Sequence, residues 1–152
     1  MSPGPGSWLS GAGQSAPDGR YPGAMLGMPE HGSGSLAPTG RRLAALLVDW
    51  LVAYGLAGLG LTLGLVTPAR LSTAVLVTWW ALGLIAVWLF GFTPGQFALG
   101  LRVVSTGPRP RIGLGRAAVR GLLIALVVPA LFTDTDGRGL QDRVTATAVV
   151  RR

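Results

Sequence analysis

Residues 71–92 read LSTAVLVTWWALGLIAVWLFGF, twenty-two positions without a charged side chain. At ~1.5 Å per residue a helix of this length reaches ~33 Å, enough to cross a hydrocarbon core of ~30 Å. A run of similar length, residues 43–66, lies just before it and is interrupted by one ionisable residue, Asp49. The four residues between them, Thr67, Pro68, Ala69 and Arg70, leave room only for a tight antiparallel hairpin. Thr67 suits a cap and Pro68 the first helical position. A third apolar stretch, residues 112–132, is less simple. Its uncharged part, 121–133, gives only ~20 Å of helix, short for a crossing, and Pro129 interrupts it. The pattern predicts an all-α membrane protein: spans over 43–66 and 71–92, and a third short, re-entrant or tilted membrane helix over 112–132. A small cytoplasmic β pairing is expected between β-prone residues 101–105 and 144–150.

Composition agrees. Only 12% of the residues are charged and 49% are hydrophobic, against a charged fraction of ~25% in soluble domains. All 13 basic residues are arginine, giving a net charge of +7. They flank the apolar runs and form no stripe with stacking aromatics, which points to anionic lipid and away from nucleic acid. The chain has no cysteine, so disulfides and thiolate metal sites are excluded. No Ser/His pair, metal-ligand cluster or phosphate loop stands in the sequence, so no enzyme activity, catalytic residue, metal or cofactor is expected.

Arginine placement orients the hairpin. Arg41, Arg42, Arg102, Arg109, Arg111 and Arg116 fall on one side of it, and Arg70 alone occupies the turn. The positive-inside rule places both ends of the hairpin in the cytoplasm. Arg138, Arg143, Arg151 and Arg152 draw the C-terminus to the same side. Residues 1–40 contain 22 Gly, Pro and Ser and no apolar period, as expected of a disordered cytoplasmic tail that recruits no core. The single histidine, His31, lies in that tail and carries no expected role.

Within the first span Arg42, Ala45 and Asp49 share one helix face. A carboxylate at lipid depth needs a cation, a hydrated cavity, a proton or a hydrogen-bonding clamp on another helix. Arg120, one turn after Arg116, is the candidate cation for Asp49. Ala53 and Ala57, and Gly60 and Gly64, have the small-residue spacing that lets helices approach, either within the hairpin or between copies of the chain. Trp79 and Trp80 are placed to fill space between helices, while Trp88, Phe90 and Phe92 suit the interfacial belt. Thr93, Pro94 and Gly95 set a capping hydroxyl before a helix-starting proline, opening a short interfacial helix that ends at Gly100.

Three motifs in order carry a family resemblance. The segment Arg42 to Asp49, the segment Thr93-Pro94-Gly95-Gln96 leading into Gly100 to Val104, and Gly139 to Arg143 followed by Thr147 to Val150 together resemble the RDD family of small bacterial membrane proteins. The resemblance covers about residues 38–152, and Arg42, Asp49 and Asp142 match the residues that name the family. Gln96 stands where the family usually has lysine. The likeness implies a multi-pass protein of the bacterial plasma membrane, with transport suggested for some members.

Two functions follow as expectations. In one, the chain moves or senses a small ion or solute as a homo-oligomer, with Asp49 as the working carboxylate, Arg120 as its counter-charge, Arg42 on the same helix face reaching back toward the headgroups, and Asp142 with Arg143 at a cytoplasmic mouth. In the other, it is a non-catalytic accessory or scaffold protein that docks on another membrane complex.

Overall fold

In the computed structural model, residues 21–126 and 138–152 are described. The first span is α1, Thr39–Thr62, and the second is α2, Leu71–Phe90, entered through a 3-10 turn at Pro68–Arg70. Both are long and apolar enough to cross a membrane, yet only 22% of the most apolar window of each is buried. Leu47, Leu51, Ile85 and Leu89 are among the side chains that face outward. Long apolar helices turned outward have the surface of a membrane span rather than that of a soluble core helix.

The hairpin closes as the small residues predict, but only over half of them. Ala53 and Ala57 are buried against Val75 and Trp79, and Trp79 stacks on Trp50 at 5.3 Å. Gly60 and Gly64 do something else. The Gly60 carbonyl accepts from Leu65 N and Val66 N, at 2.9 and 3.2 Å, and Gly64 takes a left-handed φ of 73° two residues past the helix end. They close and reverse α1 instead of packing it, because α1 ends at Thr62 and Gly64 never enters a helix. Thr67 precedes the 3-10 turn without a side-chain capping bond.

After α2 the chain turns at Gly91 and enters α3, Pro94–Ala98, then β1, Leu101–Ser105. α4, Leu114–Ala125, is followed by α5, Leu140–Val144, and β2, Thr147–Arg151. The expected pairing of 101–105 with the C-terminal segment is present, antiparallel, from Leu101↔Arg151 to Ser105↔Thr147. Its second strand starts at Thr147 rather than Val144, since Val144 completes α5 and Ala146, at φ 48°, makes the left-handed turn into β2. Of the third apolar segment, residues 114–125 form a helix about 18 Å long. Residues 127–132, with Pro129, lie outside the described residues, and no third spanning helix is shown.

Residues 34–37, expected to belong to the tail, join the other edge of β2. Gly34 N and Ala37 N donate to Arg151 O and Val149 O, and Leu36 bridges Val150. These bonds are made by backbone alone, so glycine and serine content is no obstacle to them. Residues 34–37 therefore pack with the C-terminal strand rather than apart from it; residues 1–20 lie outside the described residues. A core of Ala37, Ala45, Val87, Leu101, Val103, Ile112, Ala117 and Val149 joins the sheet to the helices and sets the two polar centres described next.

Candidate functional site

The first polar centre is Asp49. Four-residue spacing along α1 turns it, with Ala45 and Ala53, to the buried face, where it is 5% exposed. Its partners come from the start of α3. Thr93 Oγ1 donates to Oδ2 at 2.6 Å, and Gly95 N donates to Oδ1 at 2.7 Å. Thr93 also accepts from Gln96 N at 3.2 Å, and Gln96 Oε1 accepts from Thr93 N at 3.0 Å, a complete capping box. Gln96 thus has a structural task as an amide: its acceptor oxygen, which a lysine lacks, closes the box. The short helix opens at Thr93 as expected and ends at Ala98, ahead of Gly100 at φ 65°.

Arg120 does not pair with Asp49. Both Asp49 oxygens are turned to α3, and Arg120 reaches the second polar centre, Asp142, which is fully buried in α5. Arg120 Nη1 donates to Asp142 Oδ1 and, at 3.0 Å, to Thr147 Oγ1. Arg42 Nη1 donates to Asp142 Oδ2 at 3.2 Å. Arg138 Nη2 closes the cluster on Thr147 O at 2.8 Å and on Asp142 O at 3.3 Å. One turn before Arg120, Arg116 Nε donates to Thr145 O at 2.7 Å and Nη2 to Ala146 O at 2.5 Å, taking up the carbonyls where α5 ends.

Two residues that name the family resemblance, Arg42 and Asp142, are therefore bonded to each other, while Asp49 stands apart from them on its own clamp. The expected cytoplasmic mouth of Asp142 with Arg143 is not formed: Asp142 is enclosed and Arg143 is exposed. Thr147, Arg138 and the amide of Gln96 are site residues that the sequence reading missed. Arg138 stands one helical turn before Asp142 in number, but it lies outside α5, and that spacing alone does not single it out.

A cavity of about 50 Å³ lies between the centres, enclosed by α1, α2, the start of α3 and α4. Arg42, Asp49, Thr93, Gln96 and Arg120 supply its polar wall; Trp79, Trp80, Leu82, Val87 and Ile124 are among its apolar lining. Among the described residues no group of three or more histidines or carboxylates comes together to hold a metal.

Thr93→Val keeps the side-chain shape and removes the hydroxyl, leaving Asp49 Oδ2 without its donor. The loss expected is about 1–3 kcal/mol of unfolding free energy, the cost of a buried acceptor left unsatisfied, measured by denaturation in detergent. A variant as stable as the parent would show that the clamp is not engaged.

No curated protein and no solved structure matches the chain significantly. The RDD family model matches residues 36–145, the stretch that holds Arg42, Asp49, Arg120 and Asp142, and on that match the chain belongs to the RDD family.

Proposed function

We propose that this chain is a non-catalytic accessory module of the plasma membrane, with both termini in the cytoplasm, whose embedded carboxylate holds the fold together rather than carrying an ion. The observation behind this reading is the state of Asp49: each oxygen already accepts one short hydrogen bond from α3, on a side chain that is almost wholly buried. A carboxylate used in translocation must exchange its partners, whereas this one is committed to the geometry of the capping box. The strand pairing and the bonds from residues 34–37 gather the start of α1, the end of α2 and the C-terminal strand at one side of the hairpin. The arginine bias makes that side the cytoplasmic one. Outward-facing Leu43, Leu47, Trp50 and Tyr54 follow one face of α1 and offer a surface on which another membrane protein can dock.

Solute movement is the competing reading, and the cavity that touches both Asp49 and the arginine cluster favours it. Reconstitution separates them. Vesicles holding the parent protein or Asp49→Asn should leak protons and sodium no faster than empty vesicles. If the parent conducts, and Asp49→Asn abolishes the flux while keeping its elution profile in detergent, Asp49 is a transport site and the accessory reading fails.

A further inference from the structure

Among the described residues, the arginine cluster holds more positive charge than its partners answer. Arg42, Arg120 and Arg138 all bond to Asp142 or its carbonyl, and no second carboxylate reaches them among the described residues. Arg42 is the least satisfied. Its side chain is 11% exposed, one nitrogen, Nη1, is spent on Asp142, and Nε and Nη2 are buried without a hydrogen-bond partner. Those two nitrogens form one edge of the guanidinium, the edge that meets two oxygens of a carboxylate or phosphate at once. Trp80 Nε1 is a third buried donor without a partner, and it lines the same cavity as Arg42. Gly121 of α4 lets the indole edge in: a Cβ there would stand 3.0 Å from Trp80 Nε1.

Buried donors are rarely left unmatched, and a fork plus an indole N–H with surplus positive charge asks for an acceptor that is itself anionic. Asp49 does not fill that need, because its oxygens face Thr93 and Gly95. The remaining wall, with Leu46, Leu82, Val87 and Ile124, is apolar. A cavity of about 50 Å³ exceeds the ~10–15 Å³ that one water centre needs.

We propose that this cavity is an oxyanion site, in which Arg42 Nε and Nη2 and Trp80 Nε1 donate to a phosphate or carboxylate, with Arg120 in the adjoining wall. The oxyanion arrives either on an amphiphile whose tail meets the apolar wall and the bilayer, or free from the cytoplasm. The site is independent of whether the chain docks or conducts.

The test uses the full chain in phosphatidylcholine nanodiscs, with phosphatidylglycerol and inorganic phosphate as separate probes, binding being read by native mass spectrometry and by the shift in melting temperature. Trp80→Phe keeps an aromatic ring and deletes the donor; Arg109→Gln removes an exposed arginine that does not line the cavity. Binding of at least one probe should weaken about tenfold in Trp80→Phe, the size of a lost hydrogen bond to a charged group, and stay unchanged in Arg109→Gln. Retention of phosphatidylglycerol that phosphate cannot displace assigns the amphiphile; displacement by phosphate assigns the free anion. The proposal is overturned if neither probe binds, or if the Trp80→Phe protein binds both as the parent does. Arg42→Gln is not relied on, since it also breaks the bond to Asp142.

Discussion

Asp142→Asn is expected to lose about 3–5 kcal/mol of stability, the range for removing one partner of a buried ion pair and leaving the other charge in place. Here the residual charge is larger than in a simple pair. Asp142 is fully buried and is the carboxylate shared by Arg42 and Arg120, so an uncharged amide leaves two guanidiniums enclosed without a counter-charge. The arginine variants should rank below it. Arg120→Gln leaves Asp142 bonded to Arg42 but strips Thr147 of a donor as well; Arg42→Gln leaves the inner bond to Arg120 intact. The expected order of destabilisation is Asp142→Asn, then Arg120→Gln, then Arg42→Gln, read from denaturant unfolding in detergent and from the yield of monodisperse protein. If Arg42→Gln proves as damaging as Asp142→Asn, the carboxylate is not the shared hub. Exchanging Asp49 with Arg120 should rescue nothing, because the two occupy different polar centres.

The same cluster shows where sequence stops informing. Apolar runs identify themselves locally, so α1 and α2 stand within a few residues of the boundaries expected, and the capping residue at Thr93 is legible because a cap and its helix are neighbours in the chain. One partner of Asp142, Arg42, is a hundred residues away, and nothing in either segment names the other. Of the expectations for Asp49, the hydrogen-bonding clamp is the one present and the Arg120 cation is not, for a chemical reason. A carboxylate in an apolar helix invites a search for a cation, but its need is for donors, and a threonine hydroxyl with one backbone N–H meets it. Thr93 and Gly95 are legible as the opening of a helix; that the same two residues clamp Asp49 follows only from the contact of α3 with α1. Gly64 failed for the opposite reason, since four-residue spacing means packing only inside a helix, and α1 stops at Thr62. The bridge that residues 34–37 make to the C-terminal strand is invisible because its bonds involve no side chain.

Gly95→Ala should be the most damaging glycine-to-alanine change among the described residues. A Cβ built at Gly95 lands on the carbonyl oxygen of Ala45, lies 2.8 Å from the Ala45 carbonyl carbon and stands 3.1 Å from Asp49 Cγ. The obstacle is backbone of α1, which has no rotamer to change, so α3 must lift away. Lifting it lengthens the bonds that Thr93 Oγ1 and Gly95 N make to Asp49, and a buried carboxylate is left short of donors. Overpacking costs about 1–3 kcal/mol, and an unsatisfied buried acceptor adds about 1–3 kcal/mol more. A loss above about 3 kcal/mol is therefore expected in detergent denaturation, against little or no loss for Gly55→Ala, where a Cβ on α1 meets nothing within 4 Å and alanine favours the helix by roughly 0.5–1 kcal/mol. Removing the carboxylate distinguishes the two components. In an Asp49→Ala background the unsatisfied acceptor is absent but the clash with Ala45 remains, so Gly95→Ala should still destabilise, by the smaller overpacking cost alone. Equal penalties in both backgrounds would mean that α3 accommodates the methyl group without disturbing Asp49; no penalty in either would place α3 farther from α1 than a glycine contact requires.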